Sequence, residues 1–460
     1  MNFHSKTAFK NSIYDGLFAN MFATLTGGVF LTGFALYLEM SDLVIGLLGS
    51  IPFLVTVFQF PASYFVSRNG HRKQVTYWGA AIARLIWIPI LMTALMPFLS
   101  NVAKCLVILV LFFLSHTCNS ISYVSWLSWT SDLVPDVFRG RFFGTRNMFC
   151  GLGGMVAMLF FGNILDFLKS HSPLGLPVGF SITFMSAVFF GILSLYFMKQ
   201  VPDLPAARPA IRSSLRSLVY LPFSNRNFRN FLIFTFFWSF SVYFASPFFT
   251  LYFLRDLKFS YGFVAVLGII SGCADLVGMQ LWGLISDKVR NKAVIQIGGW
   301  VAIFLPIAWA GVSPDNVVIP VFLHLFGSGF WAGINLCMNN LLLRISPQEN
   351  KAFFLSSYGI VGGIGAAIAP VAAGLALKPL LNLDFQFFGR QIVPLQIVFL
   401  TSTLLRLLSF QLFKYIHEPE EVPLGQLVRV LRNVRGLNLA TGFNSLLHPF
   451  VEITSKKDQP

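Results

Sequence analysis

The sequence predicts an all-α integral membrane protein of about twelve transmembrane helices, arranged as two pseudo-symmetric six-helix bundles. Three observations carry this: a shortage of charge, twelve apolar runs of spanning length, and loops that repeat between the two halves. Charged residues make up 11% of the 460, against roughly 25% in soluble domains, and the mean hydropathy is +0.71. The 52 Phe residues suit lipid-facing and tightly packed helix surfaces.

A spanning helix needs about 20 apolar residues, because in hydrocarbon only its own backbone can satisfy its N–H and C=O groups. Such runs cover 12–38, 43–66, 75–97, 106–133, 147–168 and 178–198, then 231–254, 261–285, 293–311, 317–343, 352–377 and 392–415. These are spans 1 to 12. The first run exceeds a signal-peptide core and lacks a cleavage site, so it is expected to remain as span 1. The chain therefore divides into a first half (1–198), a linker (199–230), a second half (231–416) and a tail (417–460).

The net charge of +15 does not point to nucleic acid, because the basic residues are distributed by topology. Lys104, Lys169, Arg255, Lys258, Lys378 and Arg390 fall on one side, Arg84 and Arg406 lie within spans, and the remaining 25 of the 33 Lys and Arg share the other side. By the positive-inside rule that richer side, with both termini, is cytoplasmic, which implies the cytoplasmic (inner) membrane. All five Cys fall in apolar runs without a CxxC pair, so neither a disulfide framework nor a zinc site is expected.

The halves match loop by loop. SRNGHRKQV (67–75) joins spans 2 and 3, and SDKVRNKAV (286–294) joins spans 8 and 9. LVPDVFRGRFF (133–143) leaves span 4, and RISPQENKAFF (344–354) leaves span 10. Gly151 and Gly154 answer Gly362 and Gly365, and LSLYFMK (193–199) answers LSFQLFK (408–414). Parallel repeats of this kind place a solute site near the midplane, between the halves.

On these features the chain resembles the major facilitator superfamily from about residue 10 to 417. The best local match is GLISDKVRNK (283–292), with a Gly, an Asp four residues on, then basic residues. Gly283 would let two helices approach. Asp287 would accept from a neighbouring helix N-terminus and pair with Lys288 or Arg290. In the first-half copy Ser63 and Ser67 stand where the Gly and Asp belong, while Arg68 and Arg72 remain. Drug-antiporter signatures are poor: span 4 has no intramembrane Arg and span 5 has no Gly-Pro pair. The resemblance implies alternating access, a site at the interface of spans 1, 4, 7 and 10, and peripheral positions for spans 3 and 12.

Span 4 places His116, Asn119, Tyr123 and Trp126 on one helical face. The loop alignment sets Ser328, Trp331, Asn335 and Met338 against them in span 10, with Asn339 adjoining. Asn20 and Thr24 in span 1, and Trp238, Ser241 and Tyr252 in span 7, add weaker candidates. Amide, hydroxyl and aromatic groups together suit a part-polar, part-apolar solute; the plainer reading is hydrogen bonding between helices.

Charge at mid-depth costs about 3 kcal/mol on insertion scales. Asp275 is therefore a candidate for proton or cation coupling, for the counter-ion of a cationic solute, or for a structural salt bridge to Arg406. Arg84 has no evident carboxylate in its own half and reads as an anion contact, a snorkelling side chain or a carbonyl cap. Peripheral placement favours structural roles for both arginines. Asp132 with Arg139 or Arg141 forms a candidate cytoplasmic gate. The tail segment 424–437 patterns as an amphipathic helix for the anionic headgroups of the bilayer.

No nucleophile–base set, phosphate loop, metal cluster or cofactor motif occurs, so an enzyme is not expected. The sequence is read as a secondary active transporter, symport or antiport, of a small solute coupled to H+ or another cation. Drug efflux and uptake of a sugar-like or other metabolite both remain open. The alternative class is a non-transporting receptor or assembly partner on the same fold.

Overall fold

The computed structural model describes residues 3–419, apart from 60, 64, 66–70, 135, 204–220, 348–350, 381–384 and 388–389. Among the described residues, 12 helices are long and apolar enough to cross a membrane: Thr7–Tyr37, Asp42–Ser63, Arg72–Leu95, Asn101–Thr130, Phe142–His171, Gly175–Lys199, Arg226–Arg255, Tyr261–Asp287, Asn291–Ala310, Val318–Ile345, Phe353–Leu380 and Pro394–Tyr415. These are spans 1 to 12. Most of the linker and the proposed tail helix lie outside the described residues, as does Arg68.

Three spans are broken at mid-depth. Span 1 runs as Phe3–Leu25 and resumes as Gly28–Tyr37. Gly28 has φ +49°, a conformation open to glycine and costly for a side chain. Thr26 Oγ1 donates back to the Phe22 carbonyl at 2.8 Å, beside its own backbone N–H, so the hydroxyl is satisfied at the break. Span 2 tightens into a 3-10 turn at Val55–Phe58 after Pro52. Span 3 is divided into Arg72–Leu85 and Trp87–Leu95.

Two features differ from the sequence reading. The helix of span 5 begins at Asp136, within the stretch read as a polar loop. The connection from span 11 to span 12 contains an antiparallel pair, Phe385–Phe387 with Arg390–Ile392, in the register Phe385 to Ile392.

The halves share one packing plan. Span 1 packs on spans 5 and 6, as span 7 packs on 11 and 12; span 3 packs on 4, as span 9 packs on 10. Between halves, span 2 meets span 11 and span 5 meets span 8. The two ends of the molecule differ. At the end away from the termini, one continuous core joins both halves, with Phe30, Phe34 and Leu48 in the same cluster as Phe248, Leu251 and Ala373. At the end bearing the termini the cores separate. Phe228, Val289 and Leu341 belong to one, while Ala80, Trp129 and Met198 belong to another.

Candidate functional site

The distal end is latched by polar contacts. Arg255 Nη1 of span 7 lies 2.6 Å from Asp42 Oδ1 of span 2. Asp166 of span 5 accepts from the backbone N–H groups of Tyr261 and Gly262 at 2.9 and 2.6 Å. A carboxylate from the first half thus caps the start of span 8, where the helix dipole favours negative charge. Asp256 sits beside Arg255 at 3.4 Å; burial pushes its carboxyl above the usual range, and Arg255 opposes that. Spans 2 and 11 touch closely. A Cβ at Gly46 would lie 2.5 Å from the Pro370 carbonyl oxygen, so only glycine fits without displacement.

Beneath this closure lies a cavity of about 370 Å³, reached by spans 1 to 4 and span 7. The break in span 1 contributes Thr26, Gly27 and Gly28, and span 7 contributes Tyr243, Ser246 and Thr250. Span 4 supplies His116 and Asn119, the first two residues of its predicted face. Tyr123 and Trp126 are not in the lining. Trp126 is engaged by Arg146 of span 5, whose guanidinium carbon is 4.3 Å from the ring. Tyr123 stacks on Trp126 at 6.1 Å and is exposed.

A second cavity of about 270 Å³ lies among spans 7, 9, 10 and 12 and shares Thr250 with the first. Ser328 and Trp331 line it, with His324, Trp309 and Arg406. Asn335 and Asn339 are exposed on the other side of Trp331 along span 10, and Met338 is core. Trp238 is also core, with its ring 6.1 Å from that of Trp331. Asn20 spends its amide on the Cys150 carbonyl at 2.7 Å, tying span 1 to span 5.

The mid-depth charges are not arranged as expected. Arg406 makes no pair with Asp275; its Nη1 donates to the Ala302 carbonyl at 2.6 Å. Asp275 is half-buried on span 8, and neither cavity includes it. Arg84 does have a carboxylate in its own half, which sequence reasoning missed. Asp15 of span 1 is the charge acting on it, and Gly191 of span 6 makes room for its stem. Asp15 is 3% exposed, accepts from Ser194 Oγ at 2.5 Å and lies 3.8 Å from Arg146 Nη2. It stands only eight residues into span 1, where a terminal Asp reads as a solvated helix end.

At the terminal end Glu418 is a latch carboxylate that the sequence reading did not include. Glu418 accepts from Asn291 Nδ2 at 2.8 Å and from the Lys292 backbone N–H at 2.7 Å, with Arg344 Nη1 at 3.6 Å. It caps span 9 and locks it to span 10 within the second half. Asp287 is exposed. Arg290 adopts φ 71°, ψ 164° between spans 8 and 9, a region that strains a side-chain-bearing residue. Close helix approach occurs at Gly278, where a Cβ would lie 2.7 Å from the Gly329 carbonyl, rather than at Gly283, where the nearest atom is at 3.6 Å. In the first half Arg72 Nη1 donates to the Ser128 carbonyl at 3.1 Å. The side chains of Asp132, Arg139, Arg141 and Lys288 lie outside the described residues.

Two bundles joined around a mid-depth cavity define the class: a membrane protein of the transporter fold. The chain belongs to the Major Facilitator Superfamily, whose profile matches residues 16–370. The fold is similar to that of the nucleoside transporter NupG (TM-score 0.67, 16% identity, covering 90% of this chain and 100% of that one). It is similar to a bacterial homologue of the human lysosomal transporter Spinster (TM-score 0.67, 15% identity, 91% and 100%). It also resembles a D-xylose–proton symporter (TM-score 0.65, 15% identity, 90% and 98%). The sequence matches no curated protein.

Proposed function

We propose that this protein is a secondary active transporter that moves a small solute across the cytoplasmic membrane by alternating access, coupled to H+ or another cation. The observation that carries this reading is the 370 Å³ cavity, walled by both halves and covered on one side by the continuous core. The terminal end, where the cores separate, carries most of the Lys and Arg and is assigned to the cytoplasm. The structure then corresponds to the state facing the cytoplasm.

His116, Asn119, Ser246 and Thr250 offer hydrogen bonds, while Trp87, Phe112 and Tyr243 offer apolar surface. Two acids are proposed for coupling. Asp275 has no partner among the described residues, and Asp15 lies between two arginines. Two solved structures of similar fold are described as a nucleoside transporter and a D-xylose–proton symporter, which supports small-solute transport in general terms.

The test is counterflow in proteoliposomes against a metabolite panel, with and without a pH gradient. Asn119→Ala should reduce the initial rate at least tenfold, equivalent to about 1.4 kcal/mol. Asp275→Asn and Asp15→Asn should each be assayed for loss of the gradient's effect while exchange persists. Transport that is unchanged in Asn119→Ala would remove the cavity from the pathway, and a pH dependence intact in both acid variants would remove them from coupling.

A further inference from the structure

Arg406 is 3% exposed in the membrane interior, and no carboxylate acts on it among the described residues. Its one hydrogen-bond partner there is the neutral Ala302 carbonyl, and its Nε has none. It lies nine residues before the end of span 12 at Tyr415, or about 13 Å along a helix, which is too deep for a lipid phosphate. A buried cation is ordinarily paired, because desolvation costs several kcal/mol per ion.

The surroundings point to what pairs with it. Arg406 lines the 270 Å³ cavity together with Trp309, Trp331, Phe249 and Phe253. Its guanidinium carbon is 5.9 Å from the Trp331 ring. His324, in the same lining, holds Ser271 Oγ at 2.6 Å through Nδ1, and its buried Nε2 has no partner. When the Ser271 hydroxyl donates to Nδ1, Nε2 carries the proton and is a second donor. The first half gives the control. There Ser194 bonds Asp15, the carboxylate acting on Arg84, whose Nη1 likewise has no hydrogen-bond partner, so the difference between the halves is the carboxylate. The repeat alignment LSLYFMK to LSFQLFK equates Ser194 with Ser409, and Ser409 faces Ser241, a neutral hydroxyl, at 3.3 Å.

We propose that the cavity among spans 7, 9, 10 and 12 is a subsite for the anionic end of an aromatic or apolar monocarboxylate, with Arg406 as counter-ion and His324 as second donor. Aromatic walls hold the body, and the guanidinium supplies the charge-assisted hydrogen bonds that favour a carboxylate. One positive charge and one neutral donor suit a single negative charge. The proposal deepens the transport reading and rests on it only for the fate of the bound anion.

The probes are benzoate, phenylacetate and 3-phenylpropionate, each paired with its neutral amide and titrated calorimetrically into the full chain in detergent. At least one carboxylate is expected to bind tenfold or more tightly than its amide. Arg406→Gln should abolish that difference. Ser241→Asp should also abolish it by supplying an internal carboxylate, since Ser402 Oγ donates to the Ser241 carbonyl at 2.7 Å and residues 402, 406 and 409 share one helical face. Melting curves establish that both variants fold. Equal affinity for acid and amide in the wild type, including no binding of either, overturns the proposal, as does retained discrimination in folded Arg406→Gln. Proteoliposome flux separates the two readings. Binding through Arg406 without translocation leaves the subsite and removes transport of that anion; flux of a neutral solute without carboxylate preference leaves transport and removes the subsite.

Discussion

The two halves share a helix plan but handle buried charge differently. In the first half, Arg84 reaches from span 3 across Gly191 of span 6, and Asp15 of span 1 balances it. In the second half the arginine comes from span 12, because the repeat alignment sets Arg406 opposite Gly191. It reaches back to Ala302 of span 9, and no carboxylate answers it among the described residues. The same inter-helix position holds a guanidinium in both halves, supplied from opposite helices. One half therefore sets a carboxylate near its buried guanidinium, although Arg84 Nη1 has no hydrogen-bond partner, and the other sets none there among the described residues. A pseudo-symmetric frame lets the two halves keep one helix plan while treating a buried guanidinium differently.

The comparison breaks most readily at Asp15. Asp15→Ala leaves Arg84 buried without a counter-charge and removes a neighbour of Arg146, so a loss of about 3–5 kcal/mol is expected in a denaturation series in detergent. Unchanged stability would show that the first half does not depend on that pairing. Glu418→Gln should cost about 1.5–3 kcal/mol by the same measurement, because Arg344 and the start of span 9 lose a charged acceptor. Arg406→Met should lie at the opposite sign, neutral or stabilising by about 1–4 kcal/mol without solute, as replacement of buried ionic groups by apolar ones often is. A large loss there would mean that the second half contains its own counter-charge. The smallest effect is expected at Arg290, where Arg290→Gly relieves the positive φ and should add about 1 kcal/mol. A melting temperature that falls in this variant would locate the role of Arg290 in its guanidinium rather than its backbone.

Much of the fold was legible because lipid imposes one-dimensional rules. Span length, loop charge and a twofold repeat of six spans can be read by walking along the chain. The cavity face of span 4 was legible for its distal part only. His116 and Asn119 line the cavity, whereas Trp126 is taken by Arg146 from another helix. Span 10 shows the same split, with Ser328 and Trp331 in a lining and Met338 in the core. A helical wheel gives the face but not the depth at which a neighbour intrudes. Asp15 and Glu418 escaped for a related reason: each lies near the end of a span, where an acid in the sequence looks solvated. The fold turns both inward, Glu418 onto the start of span 9 and Asp15 onto spans 5 and 6.

The sequence by itself determined the number of crossings, the repeat and the basic side, since each follows from the cost of polar groups in hydrocarbon. The tertiary structure alone decided which end is closed, which carboxylate answers which arginine, and which arginine is left for a ligand. Those outcomes depend on distances of a few ångströms between helices far apart in the chain, and charge interactions at low dielectric change steeply over that range.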